Sequence, residues 1–480
     1  AAARAGAARM TGACAAAPLP LRAGGERAFV IAVLALLGLR LLLVVLLWAV
    51  GGEPLQPDSP LYLQLAAALA DKGWFSVDTQ VYVPEVFRTP GYPAYLAAFL
   101  VQGVPGTFWP LLGQELLYLA TVAAFFVGTR SMLDGGLARA VVIFLLIEPG
   151  GIAYPKLILS DTLNLALIVP ALFALGAHLK SGRWSWLVAA SLLLGAAAWV
   201  RPAAFLLPMV FAPVLIVAGR LRRDAFLRAG LLMLVTTLTL SPWLGRNVLV
   251  FGTPTLSGQA SNMFVNYHLP YVWEVTRGLP FQDGQRQAAA LAEQAIAAAE
   301  AERGAPLNAV ERLKVAQAAA LDQLKAQPEA YAQRWAIGML KTLLGPGLLD
   351  AYAAYGHQAE RVRFSTIDEA SFARKIMTFL AGQDWLVLAE VVLRAGLLAL
   401  ALVGAVVILR SGNAFLWIIM LFSAYTVFIP GPMGLTRLRF AAEGFLFLQA
   451  WLGLRCLLRL GTADAPCLAD NTPIPVSGRS

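Results

Sequence analysis

Long apolar runs separated by short polar breaks dominate this chain. Phe29–Trp48 is interrupted only by Arg40, and Ala395–Leu409 carries no charge. A helix needs about 20 apolar residues to cross the hydrocarbon core of a bilayer, and stretches of that kind predict about ten spans. They fall at 28–49, 108–129, 138–153, 158–178, 184–200, 203–219, 228–245, 385–409, 413–430 and 440–457. Several are short, and the pair around Arg201 also fits a re-entrant arrangement.

Two long segments break the apolar pattern. The first is 51–107, where Leu61, Leu65, Ala68 and Leu69 recur at helical spacing. That spacing predicts an amphipathic helix over Ser59–Ala70, lying on the membrane surface. The second segment, 246–384, has ordinary soluble composition. There Gly284–Arg303 reads as a helix stopped by Gly304 and Pro306, and Asn308 starts another with Glu311 as its capping-box partner. Tyr331, Trp335, Met339 and Leu343 then form one stripe, which fits either an interfacial helix or the core-facing side of a small lobe.

The expected fold is an all-α integral membrane protein of about ten transmembrane helices, with surface-lying helices and a helical outer-face domain. Its expected organisation is a cytoplasmic tail (1–27), a transmembrane module (28–245) with the outer loop 51–107, an outer-face lobe (246–384), C-terminal spans (385–457) and a second tail (458–480).

Composition agrees. Hydrophobic residues make up 59% and charged ones only 14%, against roughly 25% charged in soluble domains. Mean hydropathy is +0.68. The net charge of +9 would suit a polyanion, but its placement argues otherwise. Arg4, Arg9, Arg22 and Arg27 precede the first span. Arg130 with Arg139, Lys180 with Arg183, Arg220 to Arg228, Arg410, and Arg455 with Arg459 fall in or beside alternate loops. That positive-inside pattern puts both termini in the cytoplasm of an inner-membrane protein and leaves no case for nucleic acid. The first span has no convincing cleavage site after it and is expected to stay as an anchor.

Several chemistries are excluded. There is no Walker A sequence and no Gly-x-Ser-x-Gly elbow, and His178, His268 and His357 lack ligand spacing. What remains is a set of charges at the outer ends of spans: Asp58, Lys156, Asp161, Arg201, Arg246, Arg437 and Arg439. The cations among them break the positive-inside trend, and together they suit an anionic ligand such as a lipid-linked phosphate. Singly, each arginine also fits snorkelling to headgroups. Asp58, followed by Ser59 and Pro60, also fits a helix N-cap, as does Asp161. Asp71, Asp78 and Glu85 read as solvent-facing. Glu390 and Arg394 are spaced to pair within one helix, and the mid-span Arg40 needs a partner such as Glu115.

The order of motifs narrows the reading. Asp58-Ser-Pro-Leu-Tyr62, Gly73, Arg88-Thr-Pro-Gly-Tyr92-Pro93, Leu159-Ser-Asp161-Thr-Leu163, Arg201-Pro202, Ser241-Pro-Trp-Leu-Gly-Arg246-Asn247, Phe251-Gly252 and Arg437-Leu-Arg439-Phe440 follow one another. This arrangement resembles the GT-C superfamily of glycosyltransferases, in particular family 39 and the RgtA/B/C/D-like members. The resemblance covers roughly residues 28 to 457 and implies transfer of a sugar, with inversion, from a polyprenyl-phosphate donor. The acceptor would be a lipid, glycan or protein at the non-cytoplasmic face.

The resemblance further implies that Asp58 acts as base and that Asp161 meets the donor phosphate or a divalent ion, Mg²⁺ or Mn²⁺. Lys156, Arg201, Arg246, Arg437 and Arg439 would then neutralise the phosphate, and Tyr62, Arg88 and Tyr92 would position the loop and substrate. One departure is that Asp58 is followed by Ser59 where some relatives have a second acid; Glu53 lies five residues earlier. The rival reading, a transporter or flippase of lipid-linked substrates, expects charges at the bilayer midplane rather than at span ends. A silent scaffold that keeps the fold would carry the same pattern.

Overall fold

The computed structural model describes residues 23–52, 54–101, 106–354 and 372–460. Most of both expected tails, Glu53 and His357 lie outside the described residues. Apart from one isolated bridge between Ser76 and Pro84, the described residues form only helices and loops.

The first half of the bundle holds α1 (Ala23–Ala49), α2 (Ser59–Lys72), α3 (Gly91–Val101), α4 (Phe108–Met132), α5 (Gly135–Ile147), α6 (Asp161–Ser181), α7 (Trp184–Val200), α8 (Leu207–Ala218) and α9 (Arg223–Phe251). A lobe follows, with α10 (Phe281–Arg303), α11 (Ala309–Lys325) and α12 (Pro328–Leu344). The chain then returns through α13 (Trp385–Ser411), α14 (Ala414–Phe428) and α15 (Glu443–Leu460). This is an all-α, multi-pass integral membrane protein.

Each of the ten apolar segments forms helix, but the count of ten spans is not upheld. Six helices are long and apolar enough to cross a bilayer: α1, α4, α6, α9, α13 and the segment Thr436–Leu458. A seventh arises if α5 and Pro149–Lys156 form one span bent by 58°. Trp184–Val200, Pro202–Ala218 and Ala414–Phe428 are shorter, because proline and polar breaks cut them before a full crossing. The bend lies at Glu148, whose extended backbone (φ −62°, ψ 130°) is what the following Pro149 demands.

The main core joins α4, α6, α7, α8, α14 and α15 through residues such as Phe125, Leu172, Leu194, Phe211, Phe422 and Phe445. Helix α2 buries one face against protein: Tyr62, Leu65 and Ala66 are buried, and Leu65 packs beside Phe75 and Trp243. Gly91 opens α3 because a Cβ there would lie 2.6 Å from the Trp199 carbonyl oxygen. Glycine lets α3 seat against the end of α7, and so fixes where the preceding Arg88 stands.

In the lobe, Asn308 accepts hydrogen bonds from the Val310 and Glu311 amides while Glu311 accepts from the Asn308 amide. This is the expected capping box. Trp273, Ala288, Ile296, Ala320 and Leu324 form a separate small core. On α12, Tyr331 and Trp335 meet His268, and Trp335 also packs on Phe428 at the end of α14.

His268 is a pH-sensitive element of that lobe. Its Nδ1 shares a 2.9 Å hydrogen bond with the Tyr331 hydroxyl, and its buried Nε2 has no partner among the described residues. Burial pushes its pKa down to about 4, from about 6.5 in an unfolded chain. Its contribution to stability is therefore full above about pH 6.5 and lost as pH falls towards 4, about 3 kcal/mol in all. Thermal unfolding at neutral and mildly acid pH should show a smaller acid loss in His268→Phe than in wild type. Equal losses in the two proteins would refute the assignment.

Candidate functional site

Two loops bring the acidic candidates together. Asp58 precedes α2, where Pro60 in the first turn suits the helix start. Its side chain makes no capping bond, which sets aside the N-cap reading. Asp161 is the first residue of α6, and it too turns its carboxyl into the site. The loops are pinned to each other: the Ile158 amide donates to the Pro54 carbonyl at 2.8 Å, and Ser59 Oγ donates to the Ile158 carbonyl at 2.8 Å.

Arginines from three further elements close on these carboxylates. Arg88 Nη2 donates to Asp58 Oδ1 at 2.6 Å, and Arg437 Nη2 donates to Asp58 Oδ2 at 2.8 Å. Arg201 Nη1 bonds Asp161 Oδ1. Arg437 Nε stands 3.9 Å from Asp161 Oδ2, too far for a hydrogen bond. Arg201 is held extended (φ −140°, ψ 118°) because Pro202 follows it, which ends α7 and turns the guanidinium across the top of α6.

Tyr62 completes the arrangement. Its hydroxyl accepts from Arg88 Nη1 at 3.4 Å and lies 3.3 Å from Ser160 Oγ, while its ring sits under the Arg88 guanidinium. Tyr92 backs it edge-on, with ring centroids 4.8 Å apart, and donates to Gln114 Oε1 at 2.6 Å. A small cleft opens between Tyr62, Arg88, Ser160, Arg201, Gln259 and Arg437.

Electrostatics favour an anion there. Three guanidiniums face two carboxylates, which leaves one positive charge over. Arg88 Nε and Arg437 Nε are buried donors without a hydrogen-bond partner among the described residues, and Asp161 Oδ2 is an acceptor in the same state. Burial alone would push the Asp58 carboxyl up, but the Arg437 and Arg88 guanidiniums outweigh it and hold the pKa at about 2. With both oxygens engaged, Asp58 is a weak base in this arrangement.

A divalent ion does not fit these residues. The described residues hold no group of three His, Cys, Asp or Glu that could grip one. Asp161 meets Arg201 through one oxygen and faces Arg437 with the other, so an Mg²⁺ or Mn²⁺ ion would stand among guanidiniums. The arginines already supply the positive charge such an ion would bring.

Three expected phosphate ligands are not brought to the cluster. Lys156 is fully buried and donates to Glu115 Oε2 at 2.8 Å and to the Ile152 carbonyl at 3.0 Å. The chain turns between it and Asp161, so the two side chains part. Arg246 spans the first loop, donating to the Glu85 carbonyl at 2.8 Å and to the Phe75 carbonyl at 3.2 Å. Arg439 donates to the carbonyls of Thr342, Leu343 and Gly345 and closes the end of α12. It also meets Glu443, which bonds Arg394; Arg394 in turn bonds Glu148 and Glu390. The expected Glu390–Arg394 pair is thus one edge of a larger buried network.

Sequence reasoning did not single out Ser160, although it lies inside the Leu159–Leu163 motif, and it missed Gln259, which carries no motif of its own. It also placed Glu85 in solvent, whereas Glu85 is 7% exposed.

No protein-family model and no curated protein matches the chain. Among solved structures, it is similar to ArnT from Cupriavidus metallidurans in the apo state, with 14% identity over 90% of this chain and 77% of that one, at a TM-score of 0.39. The same protein bound to undecaprenyl phosphate gives 14% identity, 90% and 78% coverage, and a TM-score of 0.41. Scores below 0.5 do not establish a shared fold, and the functional reading rests on the geometry of the site.

Proposed function

We propose that this protein is a membrane glycosyltransferase that takes a sugar from a polyprenyl-phosphate donor at the extracytoplasmic face. The observation that carries the proposal is the convergence of Arg88, Arg201 and Arg437 on Asp58 and Asp161, with buried donors on Arg88 and Arg437 left without a hydrogen bond among the described residues. Such a site suits a phosphate whose apolar tail lies in the adjoining bilayer.

The chemistry follows from competition for the arginines. A donor phosphate that engages Arg437 and Arg88 draws them from Asp58, and the carboxylate recovers basicity as its partners leave. An acceptor hydroxyl then attacks the anomeric carbon while the bond from that carbon to the phosphate oxygen breaks. The electron pair leaves with the polyprenyl phosphate, and Asp58 takes the hydroxyl proton. One displacement inverts the anomeric centre. Asp161 holds Arg201 in place beside the departing phosphate, and the phosphate itself needs no general acid.

Purified protein incubated with a panel of polyprenyl-phosphate sugars and lipid, glycan and peptide acceptors tests this reading. Transfer should fall by about 100-fold or more in Asp58→Asn and in Asp161→Asn. Undiminished transfer in both variants would remove the site assignment. Flux of a lipid-linked substrate in liposomes, with no transfer from any donor, would establish the transporter instead.

A further inference from the structure

We infer that Glu85 and Arg246 are positioning residues for Arg88, forming a latch that sets the guanidinium before a phosphate arrives. The inference rests on the anion-binding reading above and concerns residues outside the cleft.

Segment 85–88 has nearly all its backbone polar groups fixed from outside or by its own first side chain. Glu85 Oε1 accepts from the Arg88 amide at 3.0 Å and also from the Phe87 amide. The Glu85 carbonyl accepts from Arg246 Nη1 at 2.8 Å. The Val86 carbonyl accepts from the Gly258 amide at 2.9 Å, and the Phe87 carbonyl from Ser257 Oγ at 2.6 Å. A four-residue loop segment held this way has little freedom, and its last residue is the arginine that bonds Asp58.

Arg246 suits the task by shape as well as charge. Its guanidinium lies 5.0 Å from the Trp243 ring and 5.3 Å from that of Phe251. From there one nitrogen reaches the Glu85 carbonyl and the Asn247 side chain, and the other reaches the Phe75 carbonyl and the Tyr82 hydroxyl. Lysine lacks both the fork and the flat face, so Arg246→Lys would keep the charge and lose the latch.

The test pairs amide exchange with decaprenyl-phosphate binding to the full chain in detergent. Glu85→Ala should accelerate exchange at Phe87 and Arg88 and weaken binding about tenfold, whereas Glu85→Gln, which keeps an acceptor oxygen, should stay within about twofold of wild type. In an Arg88→Ala background, Glu85→Ala should add less than about twofold, because it acts through Arg88. Arg246→Lys should follow Glu85→Ala in both readouts.

Independent, multiplying losses in the double variant would overturn the inference, as would unchanged exchange at Phe87 and Arg88 or a Glu85→Gln defect equal to that of Glu85→Ala. If wild type bound no decaprenyl phosphate, the donor reading would fall, while the exchange data would still decide the latch.

Discussion

Replacing Arg437 with alanine is expected to abolish sugar transfer and to weaken polyprenyl-phosphate binding by about 100-fold or more, equivalent to about 3 kcal/mol. Arg437 is the one described side chain that pairs with both carboxylates, bonding Asp58 at 2.8 Å and facing Asp161 at 3.9 Å. Without it, two guanidiniums would balance two carboxylates and the cleft would lose its excess positive charge. Asp58 would keep Arg88 and Asp161 would keep Arg201, so the fold should survive with only a small shift in thermal unfolding. Arg437→Lys should also lose more than about tenfold, since a single ammonium lacks the two-sided reach of the guanidinium. Decaprenyl-phosphate titration and single-turnover transfer on the same preparations measure both effects. Binding within about threefold of wild type in Arg437→Ala would remove this residue from the site.

This site was legible in the sequence to the extent that its members stood at span ends and in an ordered series of motifs. Asp58, Asp161, Arg201 and Arg437 were singled out that way, and the structure gathers all four. Local spacing also predicted features decided within a few residues, such as the Asn308–Glu311 capping box and the Glu390–Arg394 pair. Partners decided by tertiary packing were harder to read. Lys156 was grouped with Asp161 as a charge at the outer end of a span, but the intervening turn sends its side chain back to Glu115. Glu85 looked solvent-facing because nothing in its own neighbourhood covers it. Yet its carbonyl is bonded by Arg246, 161 residues away, and the next two carbonyls by the Ser257–Gly258 corner. The same long-range contact explains why Arg246, correctly noticed as an unusual cation, holds a loop and does not reach the cleft. The count of ten spans is unconfirmed for a different reason, since hydropathy marks apolar helices without saying whether each is long enough to cross alone.

Arg40 illustrates the opposite case, where a cost visible in the sequence names its own solution, and it leads to the largest stability effect expected in the molecule. Arg40 Nε donates to Glu115 Oε1 at 2.6 Å, and Lys156 Nζ donates to Glu115 Oε2 at 2.8 Å. All three side chains are buried, with Arg40 at 1% exposure and Lys156 and Glu115 at 0%. Arg40 also donates to the carbonyls of Leu146 at 3.2 Å and Gly151 at 2.5 Å, so the triad ties α1 and α4 to the bend after α5. Glu115→Ala would leave two cations buried against each other with no counter-charge, a loss of about 3–5 kcal/mol or more. Total stability is typically about 5–15 kcal/mol, so that protein should unfold or aggregate on extraction. Lys156→Met leaves the Arg40–Glu115 pair intact and electrically neutral, so its destabilisation should be much smaller. Because Lys156 serves this triad, decaprenyl-phosphate affinity in Lys156→Met should stay within about threefold of wild type. Thermal unfolding and the monodisperse fraction after detergent extraction measure the ranking. A Lys156→Met protein that stayed folded but lost phosphate binding would return this lysine to the active site; a stable Glu115→Ala protein would mean the triad does not hold these helices together.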